Sequence, residues 1–401
     1  MKKIIVFAIL FIATLRGYLV LFALPSNIVF GLSSIFVLSL IILFSFKYYK
    51  KSPIYSNYKK VNKLLFFNIL LFTFYIPLEI IFSLTGFVNL TDLTTASLYY
   101  LLISPLFIYI FNYNTINLRN ILLIISIFLC LSIFYETKFY FIEGGYNLLM
   151  EHRQKFRPND VVGVAGSNFQ LAGVVAGHHD MANVLGMLCV FFFNEFCANK
   201  KIKHFLIFLL LLISLLLTIS ASNIVITIML LLLIMIYFKS IKSIILLFSI
   251  LFLSTFLNQD VILVFTGFTN KFGVDSNSSA LLGFLSIYDI IKGLPFFIFG
   301  HGTSFDTPII RSEISFIKLL FGFGIFHFFI LMNLILYPIY IWKKNGYNKV
   351  VSGEMFSILF GFISLLHYGS LMRITSIFVF FSFYSVSLIK LAALNNKKII
   401  I

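Results

Sequence analysis

Apolar runs, each about 20 residues long, fill this chain and alternate with short polar breaks; two of the breaks are long. Apolar and polar positions do not alternate with a period of two, so the runs predict helices rather than strands. In hydrocarbon, a helix satisfies its own N–H and C=O groups, whereas an open strand does not. The runs fall at 4–24, 28–46, 64–86, 94–111, 119–135, 171–198, 203–219, 221–238, 241–258, 314–342, 355–371 and 373–390. As one helix, 203–238 would be about 54 Å long, too long for a single crossing. Ser220, Ser222 and Asn223 therefore predict a tight polar turn at 218–223. The weakest break is the one around Met372. The expected fold is all-α: a polytopic integral membrane protein of about 12 transmembrane helices.

Composition fits that pattern. Of 401 residues, 60% are hydrophobic and only 11% charged, with a mean hydropathy of +1.04, more apolar surface than a soluble fold of this length can hide. Cys130, Cys189 and Cys197 all fall in predicted spans, which argues against disulfide stapling and a cysteine metal site. The start, MKKIIVFAILFIATL, imitates a signal peptide, but apolar character resumes after Arg16–Gly17 and favours an uncleaved first span.

Charge sets the expected orientation. A net charge of +16 would point to nucleic acid in a soluble protein. Here it reports lysines resting on anionic lipid, so the partner is membrane lipid and no nucleic acid is expected. With both termini cytoplasmic, 20 of the 30 basic residues lie in inner segments. Only seven lie outside: Lys138, Arg153, Lys155, Arg157, Lys271, Lys292 and Arg311. That asymmetry puts 136–170 and 259–312 on the outer face, as loops of a single transmembrane domain spanning 1–401. Within the second loop, Ser279–Phe299 is apolar enough for an interfacial helix.

Candidate chemistry collects in those loops. The first reads EHRQKFRPNDVVGVAG, with His152, Arg153, Lys155 and Arg157 close together. Guanidinium forks match phosphate oxygens bidentately at any relevant pH. Arg153 and Arg157 are equal candidates for that role. A basic loop lying on headgroups, or one balanced by Glu143, Glu151 and Asp160, is the plainer alternative.

AGHHDMANVLGM opens the sixth run, with Asp180 expected as N-cap. Its neighbours His178 and His179 are expected on different helix faces, a poor metal pair. Either ring can still carry a proton or donate a hydrogen bond, unless both simply cap the helix.

The second loop ends FGHGTSFDTPIIRSEISFIKLLFGFGIF. Arg311 is a phosphate candidate there, and His301 or Glu313 a general base; an ion-paired network of Asp306, Arg311 and Glu313 is the alternative. Arg16, Glu79 and Lys318 lie in or at the ends of apolar runs, where charge usually faces a bundle interior. An Arg16–Glu79 pair accounts for two of them, and Lys318, Arg373 and His367 are cavity candidates. The chain lacks a P-loop, a dinucleotide glycine motif and HExxH, so no cofactor or metal is expected.

Over the whole chain these features resemble the O-antigen polymerase and O-antigen ligase superfamily of bacterial envelope glycosyltransferases. The likeness lies in the topology and in three patches: Arg157 through Leu185, LTISASNIVITIMLLLL, and Gly300–Ile325. The second patch lacks the arginine that often follows the family's serine. Ligases of the superfamily usually carry a His–Asn pair where this chain has Glu313–Ile314, which favours polymerase. Arg311 and Gly322 stand eleven apart, as in the RX10G pattern of some polymerases, whereas Arg153 and Gly163 stand ten apart.

The resemblance implies a multi-pass protein of the bacterial inner (cytoplasmic) membrane with two large periplasmic loops. Its implied activity extends a polysaccharide from undecaprenyl-diphosphate-linked oligosaccharides, alongside a chain-length regulator as a candidate partner. Arg153, Arg157 and Arg311 would hold diphosphate, and Glu313, His301 or His178 would take the proton. A lipid-linked oligosaccharide flippase or other transporter, and a ligase, are the alternatives. The segment KYYKKSPIYSNYKKVNK lacks the G-x-x-x-D-R type motif usual in a major-facilitator carrier.

Overall fold

A computed structural model describes residues 12, 14–21, 28–29, 118–154, 171–175, 177–239, 315–366 and 374–399. Their regular elements are all helical. They are α1 (Gly17–Leu21), α2 (Leu118–Thr137), α3 (Gly145–Gln154), α4 (His178–Asn199) and α5 (Ile202–Leu217). Then come α6 (Ala221–Phe238), α7 (Ser315–Lys344), α8 (Ser352–Ser364) and α9 (Ile374–Ile399). Short 3₁₀ turns at Lys138–Phe141 and Lys349–Val351 follow α2 and precede α8. Leu118–Phe141, His178–Asn199 and Gly324–Lys344 are long and apolar enough to cross a membrane, and Ile202–Leu217, Ser222–Phe238 and Thr375–Leu391 are shorter apolar helices. Such a set of helices is that of a multi-pass membrane protein.

Exposed apolar stripes mark the helix faces suited to lipid. Leu206, Leu210 and Ile213 form an exposed stripe on α5, and Val225, Met229, Leu233 and Ile236 form another on α6. On α2 the equivalent stripe is Ile124, Ile127, Phe128 and Leu131. Three- and four-residue spacing puts each stripe on one helix face, an arrangement that water would penalise and acyl chains accept. By contrast, 89% of the α4 span is buried, against 50% for α2 and 41% for the second part of α7. So α4 is the central post.

Close packing with α8 holds it there. The two helices run antiparallel: Ser352 Oγ donates to Asn194 Oδ1 (3.0 Å), and Ser357 Oγ to the Met187 carbonyl (3.0 Å). A Cβ on Gly186 would strike the Phe360 ring, and one on Gly353 would press on Phe191 and Asn194. Small residues at a helix crossing let backbones approach, the main source of association where lipid removes the hydrophobic drive. The Tyr384 hydroxyl donates to the Leu334 carbonyl (2.9 Å) and ties α9 to α7.

Helix ends sort into two layers. At the lysine-rich end, Arg119 pairs with Glu195, Asn199 donates to Glu195, and Lys390 pairs with Glu354 at 2.5 Å. Trp342 packs there against Tyr237, Tyr347 and Phe356, and its indole N–H donates to the Asn348 carbonyl. Aromatic rings and lysines together mark an interfacial belt. At the opposite end lie Glu136, Leu171, His178, Ser220 and Leu365, joined by Leu171 N–H to Leu217 C=O and Phe316 N–H to Leu365 C=O.

The expected turn at 218–223 is present, between α5 and α6. Three expectations need correction. The helix expected from 171 begins at His178, because 171–175 forms a turn around Gly173, whose φ of +58° is left-handed. The run 314–342 is not one continuous helix: Gly324 (φ 74°, ψ 163°) breaks α7, in a conformation essentially reserved for glycine. The segment expected as the first outer loop is folded over its first half, as a 3₁₀ turn and α3. Runs 64–86, 94–111 and 241–258, nearly all of 28–46, and 259–312, expected as the second outer loop, lie outside the described residues.

Candidate functional site

Glu136 organises the end of the bundle opposite the lysine-rich layer. It occupies the last turn of α2 and is fully buried, so its carboxylate needs partners. The backbone N–H groups of Ala172 and Gly173 donate to Oε2, each at 2.8 Å. One turn earlier, Ser132 Oγ accepts from Val174 N–H (3.3 Å) and donates to the Leu129 carbonyl (2.7 Å). From the other side Gly17 of α1 presses on Val174, where a Cβ would overlap the carbonyl oxygen. The 171–175 turn is thereby clamped between α1, α2 and the end of α5.

The chain after α2 folds back over the same carboxylate. Gly144, at φ +69°, reverses it and α3 follows. His152, buried between the Tyr135 and Phe139 rings, sets Nε2 3.6 Å from Glu136 Oε1. Arg153 comes next, half-buried. Among the described residues, its Nε and Nη2 are buried without a hydrogen-bond partner. Burial pulls its pKa below the ordinary guanidinium value, and the Glu136 charge opposes that pull. The two groups feel each other without making a direct ion pair among the described residues. A desolvated guanidinium with unsatisfied N–H groups favours an anionic partner.

Two readings at the start of α4 change. Its N-cap is Gly177, in extended conformation, rather than Asp180, which lies in the first turn where a carboxylate suits the helix dipole. His178 and His179 do not diverge: their ring centroids are 3.8 Å apart. On a first turn no preceding turn confines the side chains, so consecutive rings can fold together. His179 Nδ1 lies 2.9 Å from Ser220 Oγ in the α5–α6 turn, and Asn223 Nδ2 donates to the same oxygen at 2.9 Å. No group of three or more His, Cys, Asp or Glu side chains gathers as a metal site among the described residues.

The fold thus brings His152, Arg153, His178, His179 and Asp180 to one end of the bundle. Arg157, His301, Arg311, Glu313, Arg373, His367 and Glu79 lie outside the described residues, and Lys318 belongs to the part of α7 before Gly324. Sequence reasoning passed over Glu136, Ser132 and Gly173 as site-builders. The available signal was a carboxylate closing an apolar run, which is costly in lipid unless something answers it. No protein-family model matches the chain, and no curated protein matches it, so the site's own chemistry carries the functional reading.

Proposed function

We propose that this chain is an integral-membrane glycosyltransferase. It polymerises undecaprenyl-diphosphate-linked repeat units into O-antigen or capsular polysaccharide at the periplasmic face of the bacterial inner membrane. The observation that carries this reading is Arg153, a half-buried cation whose Nε and Nη2 have no hydrogen-bond partner among the described residues, beside the buried carboxylate that builds its surroundings.

In the reaction, an acceptor sugar hydroxyl attacks the anomeric carbon of the donor. A new C–O bond forms, the bond from that carbon to the phosphate oxygen breaks, and undecaprenyl diphosphate leaves with the electron pair. Charge grows on the leaving diphosphate, where Arg153, with Arg157 and Arg311, would stabilise it without reorganising. The acceptor's proton goes to a base, for which Glu313, His301 and His178 are the candidates. Because the donor already carries its leaving group, this chemistry needs no cofactor, and the lipid tails explain why the catalyst sits in a membrane.

The break at Gly324 favours one second reading, because interrupted helices also build substrate sites in transporters such as flippases. Deleting the gene and running a polysaccharide gel separates the two. A lost ladder with one repeat unit retained is the polymerase result; loss of every repeat is the flippase or ligase result and removes the proposal.

A further inference from the structure

The geometry points to Ser220 as a positioning residue. Its hydroxyl holds His179 as the neutral ring protonated on Nε2, which makes that nitrogen a hydrogen-bond donor rather than an acceptor. A part for that donor in elongation rests on the polymerase reading; the ring's protonation does not.

Ser220 is the N-cap of α6, a position where serine ordinarily accepts from a backbone N–H of the first turn. Here it makes no such bond. Its Oγ lies 2.9 Å from Asn223 Nδ2 and 2.9 Å from His179 Nδ1. An amide NH₂ only donates, so the oxygen accepts from Asn223. The hydroxyl has one hydrogen, and among the described residues the remaining acceptor within reach is His179 Nδ1. A ring nitrogen that accepts carries no proton, and in neutral imidazole the proton is then on Nε2.

The turn is built for this. Ser220 and Asn223 are 0% and 1% exposed, so water does not compete for their hydrogen bonds. Ile219, just before Ser220, takes φ +52°, a left-handed conformation that is strained for a β-branched residue. Such strain persists where surrounding contacts over-determine the backbone. Together, a diverted cap and a strained neighbour indicate a turn shaped around the Ser220 hydroxyl rather than around helix stability.

The test is ¹³C and ¹⁵N NMR of histidine-labelled full-length protein in nanodiscs, with His179 assigned by the loss of its signals in His179→Gln. The expected wild-type spectrum shows His179 in the Nε2-protonated form, and Ser220→Ala shifts it toward a tautomer mixture. Elongation of a lipid-diphosphate-linked oligosaccharide should fall roughly tenfold in kcat for Ser220→Ala, the rate equivalent of one lost hydrogen bond. Ser220→Thr, which keeps the hydroxyl, should restore both readouts. An Nδ1-protonated ring in the wild type overturns the inference, whatever the folding of the variants. So does a Ser220→Ala protein with the wild-type tautomer and rate. A wild type without elongation activity removes the polymerase reading and the donor role together, while the spectrum still decides the hydrogen bond.

Discussion

Replacing Glu136 tests how the end of the bundle opposite the lysine-rich layer is held. Glu136→Ala removes the acceptor of the Ala172 and Gly173 N–H groups, both bonded at 2.8 Å in a fully buried place. Each orphaned buried donor costs about 1–3 kcal/mol, so the variant should lose roughly 2–6 kcal/mol before any loss at His152. Glu136→Gln keeps one carbonyl oxygen where Oε2 stands and puts an NH₂ donor in place of Oε1, 3.6 Å from His152 Nε2, so it should cost less, about 1 kcal/mol. Thermal unfolding of the detergent-solubilised protein, followed by fluorescence-detected size exclusion, should rank wild type above Gln and Gln well above Ala. Tryptic cleavage after Arg153 should accelerate in the same order, because His152 and the 171–175 turn lose their shared anchor. If Glu136→Ala melts with the wild type and resists trypsin equally, the carboxylate is not the anchor described.

Gly186→Ala should destabilise by about 1–3 kcal/mol by overpacking against Phe360, and its cost should shrink in a Phe360→Ala background, which vacates the space the new methyl needs. Gly324→Ala forces a β-carbon into a glycine-only conformation, so the melting temperature should fall by the equivalent of about 1–3 kcal/mol. Arg119→Ala and Glu195→Ala should be non-additive by about 0.5–3 kcal/mol in a double-mutant cycle of unfolding; additivity would make that ion pair incidental. Arg153→Lys keeps the charge but loses the planar fork, so its elongation rate should lie between wild type and Arg153→Ala.

Hydropathy alone located the bodies of α2, α5 and α6 to within two residues at each end, since apolar length is what lipid selects. The polar trio Ser220, Ser222 and Asn223 also marked where the 203–238 run turns. Local pattern failed wherever a distant group decides the backbone. The 171–175 stretch is apolar enough to extend α4, yet Glu136, 36 residues earlier, captures its N–H groups in a turn instead. Likewise α3 carries few apolar residues, and reads as loop until its His152 finds Glu136 and two aromatic rings. Arginine and histidine stood out as candidates from their types alone. The carboxylate and serine that place them were not, because a polar residue ending an apolar run looks the same whether it caps, turns or organises.

The central claim is that an arginine at the outer mouth of this helical bundle grips a diphosphate while a glycosidic bond forms. It is met most directly by purified protein in liposomes, given a synthetic polyprenyl-diphosphate-linked repeat unit, with products resolved by length. The wild type should yield a ladder with no added nucleotide or metal, and Arg153→Ala, melting like the wild type, should slow it at least tenfold, the scale of one lost transition-state contact. A ladder of undiminished rate from well-folded Arg153→Ala would contradict the account.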